Sequence, residues 1–220
     1  MDGSAVPAAI VQPLLRGVFH HVAFWIALVV GGLLIAQVDG TQRRLAAIVF
    51  ATSVVTCFGA SALYHRVRWR PSVRVWMRRA DHAGIYLLIA GTYTPVSLVA
   101  LHGRWEPVVL AIVWAGAAVA IAVKFVWISA PRWLAAALGL VLGWVAVAAL
   151  PELLRNLDGA AVSLLVVGGL AYTAGAFVYA RGRPDPVPAV FGYHELFHAL
   201  TIVGVSCQYA AIAFFVLNQG

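Results

Sequence analysis

The sequence predicts an all-α integral membrane protein: a seven-transmembrane helix bundle with its N-terminus in the cytosol and its C-terminus outside. Three observations predict it. With 63% hydrophobic residues and 10% charged ones, a chain of 220 residues lacks the polar surface that a soluble domain needs. Apolar stretches recur seven times, at 17–38, 43–65, 81–101, 107–127, 133–150, 160–180 and 194–217. Each is about 20 residues long, the length that a hydrocarbon core about 30 Å thick requires of a helix. Finally, the N-terminal segment and the second, fourth and sixth connections carry eleven Lys and Arg, against four (Arg43, Arg44, Arg104, Arg155) on the other side. An excess of Lys and Arg marks the cytosolic face.

The elements follow in order. A short cytosolic segment, 1–16, leads into the first stretch. That stretch is too long for the core of a signal peptide and no small-residue cleavage site follows it, so it is expected to remain as the first helix. The second ends in Ser61-Ala-Leu-Tyr-His65. The connection after it, Arg66 to Arg79, interleaves arginine with tryptophan and holds much of the net charge of +7. Beside a helix end, this pattern fits anionic lipid headgroups, at about 1 kcal/mol per basic residue, better than nucleic acid. Asp81 and His82 open the third stretch, and Lys124 near the end of the fourth is expected to snorkel to the surface. His102, Glu152 and Asp158 fall on the outer side. Gly31-Gly32 and Gly168-Gly169 read as close helix contacts, and Cys57 and Cys207 as packing residues. Connections are short and no repeat or composition shift intervenes, so 1–220 reads as a single domain.

The seventh stretch opens with His-Glu-Leu-Phe-His, His194 to His198. Residues four apart on a helix are separated by about 6 Å of rise and 40° of rotation, so both imidazoles can address one ion. The predicted topology brings His65, Asp81 and His82 to the same cytosolic depth. Ionisable groups inside a bundle are costly, face its interior and carry function. His65, His194 and His198 therefore form a candidate metal site, and three protein ligands with one open position is the pattern of catalytic zinc. The HExxH pattern also matches zinc proteases. An intramembrane protease takes a further ligand from a later LDG, whereas Leu157-Asp158-Gly159 precedes the histidines and falls on the outer side. The role of Glu195 stays open.

Ser61-Ala-Leu-Tyr-His65, the run RADHAGIYLLIAGTYTP from Arg79 to Pro95, and HELFHAL from His194 resemble the haemolysin III family, the bacterial branch of the progestin and adipoQ receptors. Trp114, Gly116, Lys124, Gly143-Trp144 and the run Gly168 to Tyr179 extend the resemblance over most of the chain. Related membrane hydrolases include alkaline ceramidases. The resemblance implies Zn2+ held by His65, His194 and His198, with Asp81 and Ser61 around it as catalytic groups. In the first helix the family shows an N-x-x-T-H-like start, and this chain reads GVFHHVA. Either His20 or His21 could occupy the place of that family histidine, and the leading expectation is that they are interfacial or capping residues.

Zinc held by imidazoles activates water for attack on a carbonyl. Asp81 would then carry its proton to the leaving alcohol or amine, with Ser61 orienting the water or an oxyanion. The alternatives open to these two are an N-cap of the third helix for Asp81 and a small packing residue for Ser61. Three functions follow: hydrolysis of a lipid ester or amide in membrane lipid homeostasis, a membrane-state sensor with structural zinc, and pore formation. Charges gathered at one face, and no amphipathic cytolytic segment, count against the last.

Overall fold

A computed structural model of the chain describes residues 12–218. Of the N-terminal segment, residues 1–11 therefore lie outside the described residues. Among those described, regular structure is helical apart from one isolated bridge between Val187 and Phe191. Seven helices among the described residues are long and apolar enough to cross a membrane. The spans are α1 (Val18–Gln37), α2 (Thr41–Arg66), α3 (Pro71–Ala100), α4 (Trp105–Val126), a fifth built from α5 (Arg132–Gly143), a 3-10 turn (Val145–Ala149) and α6 (Leu150–Asn156), α7 (Gly159–Arg181), and α8 (Tyr193–Ala211) with its π-helical tail (Ile212–Val216).

The third helix departs most from expectation, starting at Pro71 rather than near 81. Hydropathy measures the stretch that lipid surrounds, whereas the helix also includes the arginine-rich turns before it. Proline at the first helical position suits that start, because its missing N–H has no intrahelical partner there. Asp81 consequently sits in the third turn and is not an N-cap. Inside the same helix, Pro95 leaves a carbonyl unbonded, and Thr92 and Thr94 hydroxyls donate to Leu88 and Ala90 carbonyls at 2.8 and 2.9 Å nearby.

Helix α3 is the axis of the bundle, with 67% of its spanning window buried against 11% for the fifth span. Small residues let α2 approach it: a methyl on Gly84 would stand 3.0 Å from the Cα of Cys57, and one on Gly91 would run into Ser53. Dispersion across such close contacts, rather than hydrophobic driving force, holds helices together in lipid. The expected glycine contacts occur at Gly31 on Ala51 and at Gly168 on α8. Gly169 meets only Trp144, and Gly32 meets nothing.

The fifth span breaks in mid-membrane, where free backbone groups must find partners. The Tyr93 hydroxyl supplies both, donating to the Gly143 carbonyl at 2.8 Å and accepting from the Ala146 N–H at 2.9 Å. This break and α3, α7 and α8 enclose an apolar cavity of about 440 Å³. Asp81 and Val96 both line it, so it follows α3 for roughly 22 Å at 1.5 Å per residue.

Candidate metal centre

The centre lies at the bundle end where α2 finishes and α3 and α8 have their first turns. His65 comes from the last turn of α2, Asp81 from α3, and His194 and His198 from successive turns of α8. The Nε2 atoms of His65 and His194 are 3.1 Å apart, and the ligand atoms of all three histidines lie within 4.8 Å of one another. Ligands at about 2.0–2.1 Å in tetrahedral array stand roughly 3.3 Å apart, so the first pair already has the separation a shared ion imposes. His198 is 2% exposed and its Nδ1 has no hydrogen-bond partner. An orphaned buried nitrogen among imidazoles is what a site awaiting a ligand leaves behind. Three neutral nitrogen donors suit zinc and suit other imidazole-binding transition metals.

Asp81 Oδ2 is 3.7 Å from His65 Nε2, with only 14% of its side chain exposed. The Ser61 hydroxyl, one turn below His65, faces that carboxylate, although it forms no hydrogen bond of ordinary geometry. His194, His198, Asp81 and Ser61 line one end of the apolar cavity. His65 does not line the cavity but stands beside these groups, 3.1 Å from His194 and 3.7 Å from Asp81. His82 also lines the cavity.

Two residues join the site against expectation. His20 is neither interfacial nor a cap: it is 3% exposed, and its ring stacks on His198 at 3.8 Å between centroids and 14° between planes. His21, its neighbour, is exposed. The signals were the doublet itself and the histidine of the N-x-x-T-H-like start in the resembled family, and one helical position decides which imidazole points inward. Arg16 is the other. Its Nε donates to Glu195 Oε1 at 2.5 Å, while Glu195 Oε2 accepts the N–H of the N-cap residue Gly192 at 2.9 Å, the one half of a capping box that a glycine N-cap allows.

Glu195, fully buried, thus has both oxygens engaged in holding the start of α8. That fills the role the sequence left open and removes it as a free base. The strap that carries Arg16 is itself anchored, because Leu14 and Leu15 N–H groups donate to Ala189 and Val190 carbonyls at 3.0 and 3.1 Å. Gly17 then turns with φ +75°, and a methyl there would fall 2.5 Å from the Cβ of His65. Lys124 also differs from expectation: it does not snorkel out but is 1% exposed.

The family model described as haemolysin-III related matches residues 8–209. The chain is 31% identical to Hemolysin-3 of Bacillus cereus over 183 residues, covering 83% of this chain and 80% of the relative. To a Hemolysin-3 homolog of Bacillus subtilis (strain 168) it is 30% identical, covering 76% and 75%. To Heptahelical transmembrane protein ADIPOR2 of Oryza sativa subsp. japonica it is 35% identical, covering 74% and 79%.

Proposed function

The chain belongs to the haemolysin-III family, as a multi-pass membrane protein, and from that membership and the site's geometry we propose a zinc-dependent hydrolase of a lipid ester or amide that serves membrane lipid homeostasis. One observation carries the reading: three histidines able to hold a metal ion, with a carboxylate 3.7 Å from one of them, stand at the end of a long apolar cavity. A volume of about 440 Å³ suits an acyl chain and is within the range of ligand pockets. The arginine bias assigns this end to the cytosolic leaflet.

Zinc at the three histidines would supply Lewis acidity and an activated water. The chain's own groups do the rest. Asp81 accepts the proton of the attacking water and delivers it to the leaving oxygen or nitrogen as the acyl bond breaks. Ser61, opposite that carboxylate, donates to it or to the developing oxyanion. The apolar wall from Tyr86 to Val96 holds the chain and excludes bulk water.

The test is metal analysis of detergent-purified protein beside turnover of a panel of lipid esters and amides. One zinc per chain and turnover are expected, and Asp81→Asn should keep the metal and lose about 10²–10⁴ in rate. Full zinc with no turnover across the panel would sink the proposal.

A sensor with structural zinc is the second reading, and one observation favours it. Helices α2 and α8 barely touch, being separately packed on α1, α3 and α7. An ion between His65 and His194 would pin them together. In that case Asp81→Asn leaves the cellular phenotype intact, whereas His194→Ala misassembles the bundle.

A further inference from the structure

Away from the metal centre, polar groups in the wall of the apolar cavity are mostly engaged. The hydroxyls of Thr92, Thr173 and Thr201 donate to the carbonyls one turn back at 2.8, 2.7 and 2.9 Å, and that of Tyr93 bridges the break in the fifth span. Tyr172 on α7 and Gln208 on α8 differ. The Tyr172 ring lines the cavity, yet its hydroxyl is buried without a hydrogen-bond partner. Gln208 lines the cavity as well and is 7% exposed. Its Nε2 donates to the Leu165 carbonyl at 3.1 Å, and no group among the described residues donates to its Oε1.

The two side chains come together because glycines open the seam between α7 and α8. A methyl on Gly204 would stand 2.7 Å from Tyr172 Cζ. One on Gly168 would stand 2.8 Å from Gln208 Nε2 and 3.1 Å from the Gly204 carbonyl oxygen. Each side chain thus crosses the seam where the facing helix has none, and both lie beside the Gly204 peptide. Along α8, Gly204 and Gln208 follow His198 by roughly 9 and 15 Å at 1.5 Å per residue. A phenol and an amide oxygen without partners are costly in a low-dielectric wall unless a ligand resolves them. Methylenes cannot do so. A hydroxyl resolves both, since it accepts from the phenol O–H and donates to the amide oxygen.

We infer that Tyr172 and Gln208 form a subsite that reads a hydroxyl, and that it selects lipids whose acyl chain carries one near its middle. An acyl carbonyl at the metal centre puts the middle of its chain beside this pair. A ketone, which only accepts, would leave the amide oxygen unbonded. Sites built to bond a hydroxyl discriminate strongly against the chain that lacks it, because their own buried groups then go unpaired. The inference rests on reading the cavity as a site for an acyl chain, but not on hydrolysis, so binding alone tests it.

The experiment measures binding to full-length protein in detergent by native mass spectrometry. The probes are oleate, ricinoleate, which is the same chain with a mid-chain hydroxyl, and an oleate hydroxylated beside its carboxyl. Ricinoleate should bind at least about tenfold more tightly than oleate, the worth of one to two neutral hydrogen bonds. Tyr172→Phe keeps the ring on Gly204 and should weaken ricinoleate about fivefold, while oleate is held as well as before or better. The third probe should not respond to Tyr172→Phe. Gln208→Met should act in the same direction as Tyr172→Phe, and if it does not fold, Tyr172→Phe decides the matter. Thr201→Val, whose hydroxyl is already bonded within α8, should change none of the three. Equal affinity for oleate and ricinoleate, or an equal loss of both in Tyr172→Phe, overturns the subsite and leaves the cavity a site for plain acyl chains. A loss of the third probe as large as that of ricinoleate overturns its mid-chain position. Failure of all three to bind overturns the subsite together with the acyl-chain reading of the cavity.

Discussion

The two ends of the bundle each hold a cluster of histidine, carboxylate and arginine, and they treat it in opposite ways. At the end away from the metal centre, His102 is 68% exposed, and its Nδ1 pairs with Asn156 Nδ2 at 3.0 Å. The same amide donates to Glu152 at 3.0 Å and to the Ala100 carbonyl at 2.9 Å, tying the end of α3 to α6. Arg155 stands 3.7 Å from Glu152. These groups satisfy one another with water to spare. At the other end His20 and His198 are buried with nitrogens that lack hydrogen-bond partners, and an empty-walled apolar cavity begins beside them. Residue type alone does not separate a helix-end clasp from a site. Clustering of partnerless buried imidazoles does, because several such nitrogens together are uphill unless a ligand resolves them, whereas a lone buried hydroxyl such as that of Ser97 is not a site.

The comparison breaks most easily at His198. His198→Ala should lower zinc affinity by at least about 100-fold, since even loss of an outer partner of a metal ligand reaches that factor. Equilibrium dialysis against a zinc buffer reads it. Unchanged affinity would mean that the buried nitrogens belong to a hydrogen-bonded core, and the two ends would differ only in depth.

Next in size is the Arg16–Glu195 pair. Removing one partner of a buried ion pair costs about 3–5 kcal/mol, and the 21% exposure of Arg16 puts Glu195→Ala near the lower figure, about 3 kcal/mol. A double-mutant cycle with Arg16→Met in detergent melts should show strong coupling. Additive losses would deny that the strap and α8 are joined through these two side chains. Zinc affinity should fall with Glu195→Ala as well, because the start of α8 carries His194.

How much of this was legible in the sequence follows from the physics of each signal. Lipid imposes length and hydropathy so strongly that all seven spans are readable. His65, His194, His198 and Asp81 could be gathered because charge bias sets depth and helical spacing sets the face, whereas Ser61 came only from the family resemblance. The start of α3 was not readable, since helix and lipid end at different places. Arg16 meets Glu195 across nearly the whole chain, and no local pattern reports such a partner. Lys124 could be placed in depth but not in rotation about its helix, so its burial stayed hidden. His20 failed for the same reason, as one residue of a doublet.

Gly17 gives a smaller test of the same end. Left-handed backbone costs an alanine about 1–2 kcal/mol, and Gly103 shares that conformation, with φ +59° and nothing within 4 Å of an added methyl. Gly103→Ala should therefore show the backbone cost alone. At Gly17 the methyl also meets the Cβ of His65, so Gly17→Ala should lose roughly 1 kcal/mol more, at the low end of the usual cost of overpacking, and should weaken zinc binding. Equal melting losses with unchanged zinc affinity would show that the strap does not position His65.

The smallest effect is expected at the opposite end, where it is most informative as a near-zero. His102→Ala should shift stability by no more than about 0.5 kcal/mol, the usual range for an exposed position. Its removal leaves the Asn156 amide still bonded to Ala100 and Glu152, and water replaces the imidazole. His20→Ala, by contrast, removes a buried ring stacked on His198 and opens a space that the apolar wall cannot hydrate, so it should cost several times more. Parallel detergent melts give the ratio. A His102→Ala loss as large as that of His20→Ala would mean that the clasp at this end is holding the bundle shut against lipid.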